Sequence, residues 1–353
     1  MLDNPKTYKT FDKSDIAYGI ERMSEQIRIG FEDTAKTSVP LNYKNCDAIV
    51  VAGMGGSSLG AHVIQTSMSQ KLKKPIYLVR DYQLPTWVGA KTLVILSSFS
   101  GTTEEVLACA KQAQKRKAKI AVVSTGGPLP ALAKQNKWPS YIFQPGNLAK
   151  EPRLGTGFMV MGMIGILQAC GFVSLSKKEK DQAIVAMSEV VDSCALDIDA
   201  KENPAKQVAL ALKNHPVFII GSEHLVGNAH VLSNQINETA KQFAQFHELP
   251  ELNHHLMEGL TFPKGLFAKF SVLMIKSSLY NPLVQKRYSI TAQVFENLGA
   301  QVVEYEAHGT TSFEEACEVL QFGGFVSYYL GMLNKVDPTK IPYVDWFKAE
   351  MKK

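Results

Sequence analysis

The chain has 353 residues, 45% of them hydrophobic, and a formal net charge of +5. That length and content allow two domains with real cores and exclude an intrinsically disordered chain. Its lysines are scattered or in short clusters such as Lys71, Lys73 and Lys74, which gives no support to nucleic-acid binding, although a mild positive field suits an anionic small molecule.

Met1 to Asp15 mixes Asp and Lys without an apolar core, so no secretory signal is expected. Ile16, Ile20, Met23, Ile27 and Phe31 form one helix stripe that ends ahead of Pro40. Ile49 to Gly53 predicts a buried strand, after which Gly53-Met54-Gly55-Gly56-Ser57-Ser58-Leu59-Gly60 turns into a helix. Another strand is expected over Ile76–Val79. The run from Thr92 then carries a strand straight into Ser98, Ser100, Gly101, Thr102 and Thr103. Val106, Leu107, Ala110 and Ala113 follow at helical spacing, with Thr102 or Thr103 as the cap. At such a junction free backbone N–H groups, the positive helix end and four hydroxyls converge, which makes an anion cradle fit for phosphate.

Lys119–Ser124 predicts a further strand. Phe158–Val173 is apolar but interrupted by glycines and short of the roughly 20 residues of a membrane span, so a buried helix is expected. Lys177–Ala211 reads as helical with a break near Asn203-Pro204. The five cysteines (Cys46, Cys109, Cys170, Cys194, Cys317) lie far apart without a Cys-x-x-Cys pair, which points to a reducing, cytoplasmic setting.

From residue 217 the order of elements repeats. Val217–Gly221 through Val231 parallels Ile49 through Val63, Val272–Ile275 leads to Ser277-Ser278 as Leu93–Leu96 leads to Ser97-Ser98, and Gln301–Tyr305 parallels Lys119–Ser124. Phe313–Leu333 predicts another apolar helix, Asp337-Pro338 breaks it, and Tyr343–Met351 closes with a short helix bearing Lys348. Repeated βαβ units imply two doubly wound, parallel-sheet α/β domains. The expected division is 1–150 for an N-terminal helix and a first domain with the phosphate cradle, 151–212 for a helical connection, and 213–353 for a second domain with C-terminal helices. The second half lacks both Gly-Gly and Ser-Gly-Thr-Thr, so one half should bind phosphate and the other supply chemistry.

Rival readings of the glycine loop fit less well. Ala61 and His62 stand where a P-loop needs Lys and Ser/Thr, and Ser58 replaces the third glycine of a dinucleotide site. Asp81 could still serve as the ribose-binding acid of a dehydrogenase. Glu238, amid amides and small residues, reads either as a solvated helix carboxylate or as a base. His254 and His255 are adjacent, point apart on helix or strand, and have no ligand partner at metal spacing. No metal and no cofactor is therefore expected.

Ser98 to Glu105 resembles the Ser-rich phosphate loop of the sugar isomerase (SIS) domain family. Gly53 to Ser57 resembles the Gly-x-Gly-Gly-Ser of its phosphoglucose isomerase-like members. Nearly the whole chain is similar to the bifunctional phosphoglucose/phosphomannose isomerases. The likeness rests on Glu151-Pro152-Arg153-Leu154-Gly155, Asn234-Gln235-Ile236-Asn237-Glu238-Thr239-Ala240-Lys241, Glu251-Leu252-Asn253-His254, and Asp337-Pro338 through Asp345-Trp346-Phe347-Lys348. The resemblance implies two SIS (flavodoxin-like) domains and an aldose–ketose isomerase that interconverts glucose 6-phosphate, and mannose 6-phosphate, with fructose 6-phosphate through an enediol. Ser98, Ser100, Thr102 and Thr103 would bind the substrate phosphate, and Gly55, Gly56 and Ser57 would approach the sugar. Glu238 would be the base, His254 the ring-opening group, Arg153 the cation at the reacting carbons, and Lys348 an aid at the ring. His255, which departs from the usual Asn at that place, could be the working histidine instead of His254. The resemblance also implies a phosphosugar as the sole partner besides a second copy, in a homodimer with shared active sites, and no membrane or nucleic acid.

The chemistry accounts for these residue types. Moving a proton between C1 and C2 needs one carboxylate that takes it and returns it to the neighbouring carbon. Charge then grows on oxygen, where a fixed guanidinium lowers the barrier. Ring opening is a proton transfer near neutral pH, the range of histidine. The rival within the family is a non-catalytic phosphosugar-binding regulator, which has no use for a base.

Overall fold

Two parallel sheets carry the chain in the computed structural model, which describes residues 1–351 and 353. The first contains β1 (Ala48–Ala52), β2 (Ile76–Val79), β3 (Thr92–Ser98), β4 (Lys119–Ser124) and β5 (Ser140–Ile142), in the order β2-β1-β3-β4-β5. The second contains β6 (Val217–Ser222), β7 (Ala244–Leu249), β8 (Ser271–Ser277) and β9 (Gln301–Ala307), in the order β7-β6-β8-β9. Central strands covered by helices on both faces need continuous apolar runs. β3 and β6 accordingly are buried throughout. In each sheet the winding reverses beside the first strand, between β1 and β3 and between β6 and β8, and that is where an open α/β sheet leaves a crevice for a ligand. The duplication expected from sequence is thus present, down to the place of the crevice.

Buried helices join the sheets. Thr156–Ala169 is the expected apolar helix, and Ser312–Leu333 is buried along almost its whole length. Among the described residues no helix is long and apolar enough to cross a membrane.

One local expectation needs correction, the expected break near Asn203-Pro204 is present but longer, and two strands are added. The N-terminal stripe is two helices, Ile16–Glu21 and Met23–Thr34, broken at Arg22 (φ −111°, ψ 22°), and another helix, Pro5–Phe11, precedes them with Asn4 as its cap. The segment 177–211 leaves the helix after Cys194 and re-enters at Pro204. Asn203 holds that gap by accepting from Lys206 N–H and donating to Ala195 O, while the buried Lys206 ammonium donates to Leu196 O and Ile198 O. The edge strands β5 and β7 went unanticipated, because β5 has three residues and β7, Ala-Gln-Phe-His-Glu-Leu, is largely polar and only partly covered.

At the seam between the halves His62 and His230, on the equivalent helices Gly56–Ser67 and Val226–Gln235, face each other with Nδ1 atoms 3.0 Å apart, and His230 stacks on Phe246. Burial, with the nearby Arg80 cation, pushes His62 down to about 4 and His230 to about 3. An unfolded chain takes up these protons near the ordinary value of 6.5, which the folded pair resists. This contribution is therefore complete above pH 6.5 and is lost as pH falls toward 4. Melting temperature should decline between pH 7 and 5 in the wild type, and the decline should be shallower in His62→Gln.

Candidate active site

The cradle forms where β3 runs out. Ser98 Oγ and Thr103 Oγ1 are 2.7 Å apart, Gly101 N–H donates to Ser98 Oγ, and Ser100 Oγ pairs with Thr102 Oγ1 at 2.9 Å. Thr103 occupies the N-cap position of the helix Glu104–Lys115, but its hydroxyl turns to Ser98 and makes no cap bond. The expected cap is thus met in position and not in hydrogen bonding, which leaves the first turn's amides facing the hydroxyl ring. Gly101 makes the turn possible, because its φ is +69° and a Cβ there would lie 1.8 Å from Gly126 O.

The glycine loop is tied to this cradle. Ser97 Oγ donates to Ser57 O at 2.6 Å and Phe99 N–H donates to Ser57 Oγ at 2.8 Å. Gly55 precedes the helix with φ 48°. Gly56 touches the turn Pro152–Leu154 so closely that a Cβ would lie 3.0 Å from the carbonyl carbon of Pro152 and 3.1 Å from Arg153 N. The loop thereby seats Arg153 beside the cradle.

Arg153 is 1% exposed. Its Nη1 lies 3.3 Å from Glu238 Oε2 and 3.4 Å from Glu151 Oε2. Nε donates to Thr239 Oγ1 at 3.3 Å, and Nη2 donates to Pro338 O at 2.5 Å and Thr339 O at 3.1 Å. Glu238 reaches it because the helix Val226–Gln235 widens into a π-helical turn, Ile236–Ala240, which ends on Lys241 in a left-handed conformation, φ 54°. Such wide turns re-aim side chains and recur at functional sites. Here Glu238 and Thr239 both face the guanidinium.

Lys241 closes the other side. Its ammonium donates to Glu238 O at 2.8 Å and to Asp337 O at 2.7 Å, and burial, helped by the Arg153 charge, pushes it down to about 8. The Asp337 carboxylate accepts from both Thr339 N–H and Thr339 Oγ1, bonds that hold it below the usual range although burial works against them. Lys241 and Arg153 together therefore fasten the turn 337–339 over the site.

Of the expected residues, Glu238, Arg153, Gly56, Ser57 and the hydroxyls of the cradle come together. Lys348 sits exposed on the terminal helix Pro342–Glu350. The Asp345 charge on that helix acts on Glu151, and Lys348 lies about one turn beyond on the same face. His254 is not brought in. With His255 it is exposed on the short helix Leu252–His255 after β7, and among the described residues neither bonds to Glu238 or Arg153. Sequence reasoning assigned no role to Glu151, Lys241 or Thr239. Their signal was position: two before Arg153, the end of the Glu238 motif, and next to Glu238.

The equivalent place in the second half is filled from within. Glu223, at φ 42° after β6, accepts from Asn281 N–H at 2.9 Å where the helix Pro282–Asn297 begins, and His224 Nε2 pairs with the buried Glu315 at 2.6 Å. Among the described residues no group of three or more His, Cys, Asp or Glu is placed to hold a metal ion. What remains is a carboxylate on a buried guanidinium, beside a hydroxyl and amide cradle: an arrangement able to hold a phosphate at one end of a molecule and move a proton at the other.

Residues 201–351 match the family model described as bacterial phospho-glucose isomerase C-terminal SIS domain. The chain is 28% identical over 336 residues, 94% of its length and 97% of the relative's, to a bifunctional phosphoglucose/phosphomannose isomerase of Caldicellulosiruptor bescii. It is 28% identical over 309 residues, 86% of its length and 91% of the relative's, to the protein of that name from Thermoplasma volcanium. The fold is shared with the crystal structure of a hypothetical protein from Thermus thermophilus, with a TM-score of 0.76 at 15% identity over 98% of this chain and 92% of the other.

Proposed function

We infer that the chain is an SIS-domain phosphoglucose/phosphomannose isomerase, which interconverts glucose 6-phosphate and mannose 6-phosphate with fructose 6-phosphate by proton transfer through an enediol. The observation that carries this reading is the Glu238 carboxylate 3.3 Å from the buried Arg153 guanidinium, on a turn reached from the phosphate cradle through Gly56.

In this mechanism Ser98, Ser100, Thr102, Thr103 and the amides of the helix start hold the phosphate. Glu238 takes the C2 proton of the open-chain aldose as the electron pair moves through a new C1–C2 double bond onto the carbonyl oxygen; a proton passes from the C2 hydroxyl to that oxygen, and Glu238 returns its proton to C1 as the C2 carbonyl forms. Arg153 offsets the charge that appears there. His254 and Lys348 open the ring. The exposure of His254, and of Tyr343, Trp346 and Phe347 on the helix that carries Lys348, supports a homodimer in which a second copy covers these residues and the histidine of one copy serves the other. The corresponding division is a cradle in 1–150, a connection over 151–212, and the base in 213–353. A pure regulator would bind the phosphate equally well, but would have no use for Glu238 set against Arg153.

The test is formation of fructose 6-phosphate from glucose 6-phosphate and from mannose 6-phosphate, each followed in EDTA. Turnover of both is expected. Turnover of neither would make the chain a phosphosugar-binding protein.

A further inference from the structure

A guanidinium has five N–H donors. In Arg153 all five are engaged within the protein: one on Thr239 Oγ1, two on the carbonyls of Pro338 and Thr339, and two on the carboxylates of Glu151 and Glu238. A substrate oxygen can bond to this group only by displacing something. The Nη2 bonds are fixed to backbone, and one of them is short at 2.5 Å. The Nη1 contacts, at 3.3 and 3.4 Å, are about half an ångström longer than charge-assisted bonds usually are. Nη1 is where a bond gives way, and with Glu238 occupied in proton transfer, Glu151 is the group to leave.

We propose that Glu151 is a place-holding anion, whose carboxylate covers Arg153 Nη1 until the reacting oxygen of the substrate displaces it. The inference rests on the isomerase reading and adds a positioning residue to it. It explains how a buried cation stays compensated between turnovers and still becomes available as charge develops on the enediolate. The groups facing Glu151 fit such a role. Burial pushes its carboxyl up, Arg153 and Lys241 pull it down, and Glu238 and Asp345 push it up again. The anion is thus held chiefly by Arg153, the larger of the two cationic influences, whose other carboxylate partner opposes it.

Titration calorimetry with two probes separates this from a structural role. One probe is a five-carbon sugar acid 5-phosphate, whose carboxylate stands in for the planar enediolate; the other is a hexitol 6-phosphate, with the same phosphate and only neutral hydroxyls. Glu151→Gln should bind the acid about tenfold more tightly than wild type at neutral pH, because the competing anion is gone, and should leave hexitol affinity within about threefold. The advantage of the variant should shrink on acidification, since protonated Glu151 frees Nη1 in the wild type as well. Glu151→Ala, measured on folded protein, should show the same difference between probes. Equal or weaker binding of the acid by the variants, or an equal gain for both probes, overturns the proposal. Wild type that binds neither probe and turns over no hexose phosphate overturns the isomerase reading, and this one with it.

Discussion

Glu238→Gln should abolish isomerisation, with kcat falling by about 10³–10⁴, near the upper end of what a positioned general base contributes, and with phosphosugar affinity unchanged within about threefold. Gln keeps the shape of the side chain and can still accept from Arg153 Nη1, so the wide turn Ile236–Ala240 should persist. Only the proton acceptor disappears. The diagnostic readout is exchange: wild type should wash deuterium from C2 of the substrate into solvent even when net turnover is slow, and the variant should not. A variant that retains more than about a tenth of the wild-type kcat would remove Glu238 from the chemistry.

The second large effect falls on Arg153. Arg153→Lys keeps a positive charge but offers three donors where five acceptors wait, so backbone carbonyls at Pro338 or Thr339 lose their partner. Each buried acceptor left unpaired costs about 1–3 kcal/mol, which should lower the melting temperature by several degrees. kcat should fall by about 10²–10³, the usual loss when a preorganised partner of a developing oxyanion is removed. Arg153→Met should be worse in stability, because it also leaves the half-buried carboxylates of Glu151 and Glu238 without their cation. Activity lost without any change in melting temperature would mean that the bonds to the 337–339 turn contribute little.

What the sequence disclosed and what it hid divide along physical lines. The inner strands were legible because burial on both faces demands unbroken apolar runs, as in Leu93–Leu96 and Val217–Ile220. The cradle was legible because hydroxyls and a glycine must stand next to one another to make it. Hidden were the edge strand β7, with its polar residues, and the length of the break expected at Asn203-Pro204, which extends over 195–203 because Asn203 and Lys206 hold its carbonyls. In the site, the meeting of Arg153 with Glu238 spans 85 residues, and only a motif resemblance suggested it. The wide turn that aims Glu238 has no signature in local propensity, since Ile-Asn-Glu-Thr-Ala would serve as an ordinary helical turn. The exposed position of His254 was also out of reach from spacing, because whether a side chain faces its own site or a neighbour's is a property of the assembly.

A fold made by doubling begins with two mouths, and here one of them feeds itself. Because the carboxylate of Glu223 already caps the amide of Asn281, the second half brings its own anion to the spot that carries the open hydroxyl cradle in the first half. The saturation stoichiometry expected in a calorimetric titration is therefore one phosphosugar per polypeptide. On that stoichiometry, a sigmoidal response to substrate is expected to arise between chains and not between the two halves of one.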